Sequence, residues 1–198
     1  MKSKKNKEEP KKEIRVILAS PAEDIMHVST AQAIASLCIA NKCIVDYLVH
    51  KGCDLVGART SLVKKAIEKG GTHILFIDTD MYFKADTLEK MLALNKEIVA
   101  VDYYKRKFPK ELVSYPLEEN GRSETEPYKA TYAGTGLMLI DLEVFKKIAV
   151  PWFNFGRDSS GALSMGEDVW FCRTAKDAGI DTYIDPTILV GHLGEFCY

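Results

Sequence analysis

The sequence predicts an α/β domain built on a mainly parallel sheet. From residue 14 onward, short apolar runs rich in β-branched residues alternate with longer amphipathic stretches, a pattern typical of strands connected by helices. The length of 198 residues fits one such domain. Hydrophobic residues make up 46% of the chain and charged residues 28%, close to the globular average, which excludes a collagen-like, coiled-coil or wholly disordered chain.

The first four elements alternate between strand and helix. Ile14 to Ala19 is an apolar run that predicts the first strand, and the spacing of apolar residues in Val28 to Ala40 predicts a helix. Cys43 to Val49 predicts the second strand. The next helix is expected from Arg59 to Lys69, because Gly70-Gly71 provides a stop signal.

The middle of the chain predicts two strands, a helix and an excursion. His73 to Ile77 is apolar throughout, as expected of a strand that is buried on both faces. Asp86-Thr87-Leu88-Glu89 matches a capping box and predicts a helix start. Ile98 to Tyr103 predicts another strand. Residues 104–132 are polar with a turn signal at Asn120-Gly121, which indicates a small antiparallel excursion from the sheet.

The last third predicts a return to the α/β pattern. A strand, a helix, an aromatic loop and two short extended pieces are expected at residues 136–140, 142–148, 151–164, 182–184 and 188–190. Ser164-Met165-Gly166-Glu167 is a second candidate capping box, which would open a helix that ends at Gly179.

Charge and targeting signals restrict the class of protein. The 27 basic and 28 acidic residues give a net charge of -1, so the whole molecule has no field that would attract nucleic acid. Residues 1–13 contain six Lys, three Glu and one Pro, which predicts a disordered tail; the alternative is a polybasic contact, which the Glu residues dilute. No apolar run reaches the ~18 residues that cross a bilayer, and none resembles a signal peptide. We therefore expect residues 14–198 to form a single domain of a soluble, cytoplasmic protein, in keeping with five scattered cysteines.

Two acidic residues stand at the end of the most apolar predicted strand. Asp78 and Asp80 are spaced i, i+2, so on an extended chain they project to the same side. In open α/β sheets the ligand crevice lies at the carboxyl ends of the strands. Because two close carboxylates repel each other unless a cation lies between them, a hard divalent ion, Mn²⁺ or Mg²⁺, fits best. The alternative is that both acids cap the next helix, a role that Asp86 already supplies.

A second acidic pair, Glu167-Asp168, lies at the predicted start of the last helix. A capping box with Ser164 and the helix dipole would explain Glu167, but they leave Asp168 unexplained. Near a loop that carries Trp152, Asp168 is placed to act as a general base toward a hydroxyl; the alternative is an ordinary first-turn acid. His192, which lies between glycines, is either a structural histidine or the third ligand of an Asp/Asp/His metal set.

Two basic features could contact an anionic ligand. Arg59 is expected to begin a helix, where a guanidinium beside free backbone amides could bind phosphate, and the alternative is a surface salt bridge. Tyr103-Tyr104-Lys105-Arg106-Lys107 follows a strand end. Its basic residues either close over an anionic ligand or form a solvated loop.

The order of these motifs resembles that of a known family. Over residues 14–196 it is similar to glycosyltransferases of the GT-A fold, especially the inverting, family 2-like enzymes, and the matching segments are Ser20-Pro21-Ala22, Ala58-Arg59-Thr60, Phe76 to Met81, Gly134 to Met138, Gly166-Glu167-Asp168 and Gly191 to Gly194. The resemblance implies a Rossmann-like α/β/α sandwich. It also implies a metal-dependent enzyme that moves a sugar from a UDP- or GDP-sugar to an acceptor hydroxyl.

The same resemblance implies a donor site. Asp78, Asp80 and His192 would hold Mn²⁺ or Mg²⁺ against the donor diphosphate, with Asp78 also near the ribose. The other donor-binding residues would be Ser20, Pro21, Ala22, Arg59, Thr79, Gly134, Thr135 and Gly136. The two glycines would let the backbone approach the donor sugar without a Cβ. The metal would act as a Lewis acid on the departing nucleoside diphosphate.

For the transfer itself, the resemblance implies that Asp168 deprotonates the acceptor hydroxyl. Glu167 would hold the acceptor or a neighbouring loop, and Trp152 would offer an aromatic face to a sugar ring. The acceptor would be a glycan, a lipid-linked molecule or a small molecule, with no nucleic acid as a partner. Because the chain stops soon after His192, we expect a small acceptor, a loop-built site, a second copy or a partner protein to complete this region.

The nucleotide base of the donor and the class of reaction both leave alternatives open. Many relatives read the base with an acid after the second strand; here that stretch is Val49 to Asp54, so uracil and guanine both stay open. A nucleotidyltransferase would share the scaffold and the metal, but would need a Gly-rich basic loop where this chain has Ser20 to Asp24. A non-catalytic nucleotide- or carbohydrate-binding module would be expected to lack Asp80 or Asp168, and both are present.

Overall fold

The computed structural model describes residues 13–194, in which helices cover both faces of one large sheet. Residues 1–12, which hold most of the predicted tail, and residues 195–198 lie outside the described range. Its strands are β1 (Val16–Ala22), β2 (Ile44–Lys51), β3 (His73–Ile77), β4 (Met81–Tyr82), β5 (Ile98–Ala100), β6 (Tyr115–Pro116), β7 (Tyr128–Tyr132), β8 (Leu137–Asp141), β9 (Gly156–Arg157), β10 (Leu163–Met165), β11 (Thr182–Ile184) and β12 (Gly191–His192). Its helices are α1 (Val28–Ala40), α2 (Leu55–Glu68), α3 (Thr87–Ala93), α4 (Val144–Lys147) and α5 (Glu167–Asp177).

The large sheet has the strand order β2-β1-β3-β8-β5-β11-β7-β6. β1 pairs in parallel with β2 and β3, and β5 pairs in parallel with β11. β8 lies antiparallel between β3 and β5, and β7 is antiparallel to both β11 and β6. Six of the eight strands run in the same direction, so the prediction of a mainly parallel sheet is confirmed, whereas β6 and β7 of the predicted excursion at residues 104–132 extend this same sheet. One antiparallel strand, however, lies in the middle of the sheet, where the sequence pattern did not indicate its direction.

The sheet separates two hydrophobic clusters, which explains why its strands are apolar on both faces. Along β1, Ile17 and Ala19 join the cluster formed with α2 and α5, whereas Val16 and Leu18 join the cluster formed with α1 and α3. All four side chains are fully buried. This packing fixes the register of the central strands and therefore the edge of the sheet at which each strand ends.

Two helices begin at different residues from those predicted. α2 begins at Leu55, where the Asp54 carboxylate accepts a hydrogen bond of 3.0 Å from the Gly57 N–H as an N-cap, so Arg59 lies inside the helix and not at its start. α5 begins at Glu167 after Gly166, and Ser164 belongs to β10. The second capping box is therefore wrong, and Glu167 needs another explanation.

The remaining predicted elements differ in detail. Asp86 precedes α3 as expected, but its carboxylate forms an ion pair with Lys90 at 2.8 Å in place of the predicted cap bond. The predicted extended piece at residues 188–190 is replaced by β12, which pairs with β4 so that His192 lies opposite Met81. The Leu193 N–H donates to the Asp80 carbonyl oxygen at 2.7 Å. This short sheet brings the end of the chain to the carboxyl end of β3.

Two observations bear on the expected class of protein. No helix between residues 13 and 194 is long and apolar enough to cross a membrane. The four cysteines in this range are free thiols, namely Cys38, Cys43, Cys53 and Cys172.

Candidate functional site

The predicted site residues gather at the edge of the sheet where β3 ends and β8 begins. The Asp78 N–H donates to the Gly136 carbonyl oxygen at 2.8 Å, because β3 and β8 pair up to Ile77 and Leu137. Asp78 and the Gly134 to Gly136 segment are thus neighbours across two antiparallel strands. β12 adds His192 to the same edge.

An inner cluster consists of Arg59, Asp78 and Glu167. Arg59 Nε donates to Glu167 Oε1 at 3.2 Å, and an Nη nitrogen donates to Asp78 Oδ1 at 3.1 Å. The Arg59 residue is only 1% exposed, and its guanidinium lies 5.2 Å from the centre of the Phe76 ring. This buried guanidinium joins the end of β3 to the start of α5, which accounts for Glu167 in place of a capping box.

Arg59 therefore differs from its sequence-based prediction. The residue lies in the second turn of α2, beneath the edge of the sheet, and its described partners are two carboxylates and an aromatic ring. Its Nη1 is buried and has no hydrogen-bond partner within the described residues. Direct contact with a base or phosphate stays a prediction, whereas the role of the charge in positioning Asp78 and Glu167 follows from these distances.

An outer cluster consists of Asp80, His192 and Arg106. Asp80 Oδ2 lies 3.3 Å from His192 Nε2 and 3.1 Å from an Arg106 nitrogen. Burial alone would raise the pKa of the Asp80 carboxyl, but the hydrogen bond with His192 and the charge of Arg106 outweigh burial and lower it. The Arg106 side chain is 55% exposed, although Asp80 and His192 are largely buried at 13% and 17%, so this cluster is open to solvent at its arginine, where the inner one is not.

The orientation of the His192 ring matters for what the outer cluster can bind. His192 Nδ1 lies 2.9 Å from the Tyr104 carbonyl oxygen, which can only accept, so Nδ1 carries the hydrogen of this bond. In the neutral imidazole, Nε2 then directs its lone pair at the Asp80 carboxylate. Two lone pairs at this distance need a proton or a metal cation between them. Neighbouring ligands of an octahedral ion with bonds of about 2.1 Å lie about 3 Å apart, which is close to the observed separation.

The predicted Asp/Asp/His set is only partly assembled. Asp80 and His192 face each other, but the Asp78 carboxylate is held by Arg59. Accordingly, no group of three His, Cys, Asp or Glu side chains in residues 13–194 could hold a metal ion alone. The pair fits Mn²⁺ or Mg²⁺ as two ligands of one ion, because such ions usually take their remaining ligands from water and from substrate phosphate.

Asp168 lies in a partly buried environment at the start of α5. It lies in the first turn of α5, and its Oδ1 accepts a hydrogen bond of 2.7 Å from the Val169 N–H, which leaves Oδ2 available. Burial raises the pKa of the Asp168 carboxyl, and the charge of Asp78 adds to this rise. Burial also raises the pKa of Glu167, despite the charge of Arg59. A carboxylate with a raised pKa is a better proton acceptor than an ordinary surface acid.

Sequence reasoning missed Tyr103, which shapes the site. Its hydroxyl oxygen accepts a hydrogen bond of 3.0 Å from the Gly136 N–H, and its ring packs edge-on against His192, with centres 5.1 Å apart. A Cβ at either Gly134 or Gly136 would collide with this hydroxyl. Both glycines are thus required by Tyr103 itself, whereas the prediction attributed them to a close approach of the donor sugar. Tyr103 stands where a predicted strand meets a basic segment, and nothing in that position indicates a contact with residues 134–136.

Two cavities meet at Arg106. The acidic cavity, of about 440 Å³, is lined by the carboxylates of Glu23, Asp24, Asp78 and Asp80, with Pro21, Leu55 and Thr79. The basic cavity, of about 590 Å³, is lined by Lys105, Lys107, Lys110, Tyr104, Phe108 and His192. Arg106 lines both. The charges at this edge of the sheet are therefore sorted into two neighbouring spaces of opposite sign.

The other predicted residues lie at varying distances from these cavities. Pro21 and Thr79 line the acidic cavity. Ser20 is fully buried and donates to the Ile77 carbonyl oxygen at 2.7 Å, and Thr135 is also buried. Ala22 ends β1 nearby. Trp152 packs against Phe145 with ring centres 5.1 Å apart, so contact with a sugar stays a prediction.

Comparisons with known proteins give a fold but no family. No family model matches the chain, and no curated protein sequence matches it. The structure is similar to that of A197 from STIV, with a TM-score of 0.67 and 18% identity over 92% of this chain and 87% of that one. It is also similar to GalNAc-T7, which was crystallised with UDP, GalNAc and Mn²⁺, with a TM-score of 0.59 and 13% identity. That match covers 94% of this chain but only 45% of GalNAc-T7, so the chain spans less than half of that protein. These similarities establish a glycosyltransferase-like fold.

Proposed function

We propose that the protein is a metal-dependent glycosyltransferase of the GT-A type, which transfers a sugar from a UDP- or GDP-sugar to an acceptor hydroxyl with inversion. The observation that carries this proposal is the Asp80–His192 pair, whose facing oxygen and nitrogen need a proton or a metal cation between them. Asp80 lines the acidic cavity and His192 the basic one, and Asp168 at the start of α5 lies close enough to Asp78 for the charge of Asp78 to raise its pKa. The similarity to GalNAc-T7, which was crystallised with UDP, GalNAc and Mn²⁺, supports the proposal.

In this proposal the donor nucleotide lies in the acidic cavity. Four carboxylates line that cavity, and Arg106 is its one cation among the described lining residues, so a diphosphate needs further positive charge there. Asp80 and His192 would hold the Mn²⁺ or Mg²⁺ ion, which supplies that charge and stabilises the departing nucleoside diphosphate as a Lewis acid. Arg106 adds a second positive charge on the same side.

Asp168 acts as the base in the proposed transfer. The acceptor oxygen forms a bond to the anomeric carbon while the bond from that carbon to the diphosphate oxygen breaks, and the electron pair of the broken bond leaves with the diphosphate. The acceptor proton passes to Asp168 Oδ2, because Oδ1 is occupied by the Val169 N–H. Arg59 holds Asp78 and Glu167 in place through its two hydrogen bonds and acts as a positioning residue.

Release of UDP or GDP from a panel of nucleotide sugars tests the proposal. The wild-type protein should release nucleotide from one donor class in Mn²⁺ and not in EDTA. Asp168→Asn should lower that rate by about 10²- to 10⁴-fold, the usual contribution of a general base, with nucleotide affinity unchanged. Asp177→Asn, at the other end of α5, is the matched control. Tight nucleotide binding without any release would indicate a binding module instead.

The pH dependence of transfer gives a second test. Only the deprotonated Asp168 carboxylate can accept a proton, and burial raises its pKa. As the pH falls through this raised pKa, kcat/KM should decline, and the decline should begin above the pH at which an ordinary Asp, with a pKa of about 3.9, would titrate. A rate that stayed constant down to that ordinary value would exclude Asp168 as the base.

A further inference from the structure

The basic cavity beside His192 has no role in donor binding as described above. It is larger than the acidic cavity, about 590 against 440 Å³, and none of its described lining residues is an Asp or Glu. Lys105, Arg106, Lys107 and Lys110 all line it. A space of this size surrounded by cations is suited to a small anionic molecule.

The positive charge of this cavity is only partly neutralised. Lys105 and Lys107 share one carboxylate, that of Glu111, at 3.3 and 2.7 Å. Arg106 is paired with Asp80, and Lys110 lies over the Tyr104 ring, 5.5 Å from its centre. Four cations therefore face two carboxylates, which leaves a surplus of two positive charges, the charge of one phosphate dianion.

Aromatic side chains complete the lining. Phe108 is 78% exposed although it is a large apolar residue, and the Tyr104 side chain is half exposed at the same cavity. Exposed rings next to surplus cations favour a molecule with both an apolar or ring-shaped part and an anionic group. Inorganic phosphate has no apolar part that could contact these rings.

The cavity borders the proposed metal site. Gly191 and His192 line it, and Arg106 lines both cavities while it contacts Asp80. A molecule bound there lies across Arg106 from the acidic cavity in which the donor is proposed to bind. We infer that the basic cavity binds an organic molecule carrying a phosphate group, and that this molecule is the acceptor. The second part rests on the proposed function, whereas the binding of a phosphate-bearing molecule does not.

Calorimetric titration of phenyl phosphate in EDTA tests the cavity without the metal site. We expect binding by the wild type, weaker binding of inorganic phosphate and none of benzyl alcohol. The triple variant Lys105→Gln, Lys107→Gln, Lys110→Gln should bind phenyl phosphate at least tenfold more weakly. The matched control Lys146→Gln, Lys147→Gln, Lys176→Gln removes three other exposed, ion-paired lysines and should stay within twofold of the wild type. Equal losses in both triple variants, or equal binding of benzyl alcohol, would overturn the inference.

A second titration, with saturating UDP or GDP and Mn²⁺, separates the acceptor from the donor as the source of the phosphate. If the cavity takes an acceptor, the affinity for phenyl phosphate should stay within twofold. Competition would mean that the cavity holds the phosphates of the donor, and would overturn the acceptor assignment. If the nucleotide itself fails to bind, the proposed function fails, but the result in EDTA still decides whether the cavity binds a phosphate-bearing molecule.

Discussion

Two clusters of charge lie next to each other in this protein and differ in burial. Asp78 of the inner cluster and Asp80 of the outer cluster are only two residues apart and have the same side chain. Asp78 is paired with an arginine side chain that is 2% exposed, whereas Asp80 is paired with one that is 55% exposed. The clusters therefore differ in the burial of their cations, whereas the acids differ in the opposite direction, with Asp78 33% and Asp80 13% exposed.

Burial of the cation determines what each cluster can do. Arg59 cannot leave its two carboxylates without exposing uncompensated charge in a poorly solvated place, so the inner cluster holds β3 and α5 in a fixed relation. Arg106 reaches Asp80 with a side chain that is 55% exposed, so water or a ligand can take its place at lower cost than at the buried Arg59. The inner cluster is thus suited to positioning, and the outer one to binding.

The largest expected effect is on stability, from Arg59→Leu. Removal of one partner of a buried ion pair typically costs about 3–5 kcal/mol in the free energy of unfolding, because the remaining charges stay buried. Arg173→Leu, an exposed arginine on α5, should change it by no more than about 0.5 kcal/mol. Urea denaturation measures both. If Arg59→Leu cost less than about 1 kcal/mol, the two clusters would not differ in the way described.

A smaller loss of stability is expected from a substitution at Gly134, which packs against Tyr103. Gly134→Ala should destabilise the protein by about 1–3 kcal/mol, because the new Cβ collides with the Tyr103 hydroxyl. In a Tyr103→Phe background the same substitution should cost less, since the colliding oxygen is gone. A thermal unfolding cycle of the four proteins measures the coupling. Equal costs in both backgrounds would show that the glycine is required for a reason other than Tyr103.

The smallest expected effect is on metal affinity, from Arg106→Gln. A cation must compete with the guanidinium for Asp80, so removal of Arg106 should raise the affinity for Mn²⁺ about two- to fivefold, which corresponds to an ion pair of about 0.4–1 kcal/mol. Electron paramagnetic resonance of free Mn²⁺ measures this directly. Lys51→Gln, which removes the exposed partner of Asp24 in the acidic cavity, is the control and should have a smaller effect. A lower Mn²⁺ affinity without Arg106 would contradict the competition.

Local pattern was sufficient to locate the outer cluster but not the inner one. The apolar run of β3 ends in Asp78 and Asp80, so the sequence itself indicates an edge of the sheet at this point. His192, which lies between glycines near the end of the sequence, indicates a second candidate site residue. The partner of Arg59 lies 108 residues along the chain, and only the packing of α2 against the sheet buries the guanidinium. Nothing in the local sequence distinguishes this arginine from a surface residue.

Two further features depend on strand pairing over long sequence distances. β8 lies antiparallel between β3 and β5, and this insertion places Gly136 beside Asp78. The pairing of β12 with β4 brings His192 to Asp80. Periodicity predicts that a segment is a strand, but its neighbour and direction depend on the whole sheet. For this reason the contact of Gly136 with Tyr103 and the pairing of Asp78 with Arg59 could not be read from the sequence, and the donor and metal roles of these residues stay predictions.

The most direct test of the account is a calorimetric titration of UDP and GDP into wild-type protein and Asp80→Asn, each in Mn²⁺ and in EDTA. Asp158→Asn, in an exposed turn, is the control. We predict that the wild type and the control bind one of the two nucleotides at least tenfold more tightly in Mn²⁺ than in EDTA, and that Asp80→Asn loses this difference. An affinity that is the same in both solutions, or a metal effect that survives in Asp80→Asn, would contradict the assignment of Asp80 and His192 as the metal and donor site.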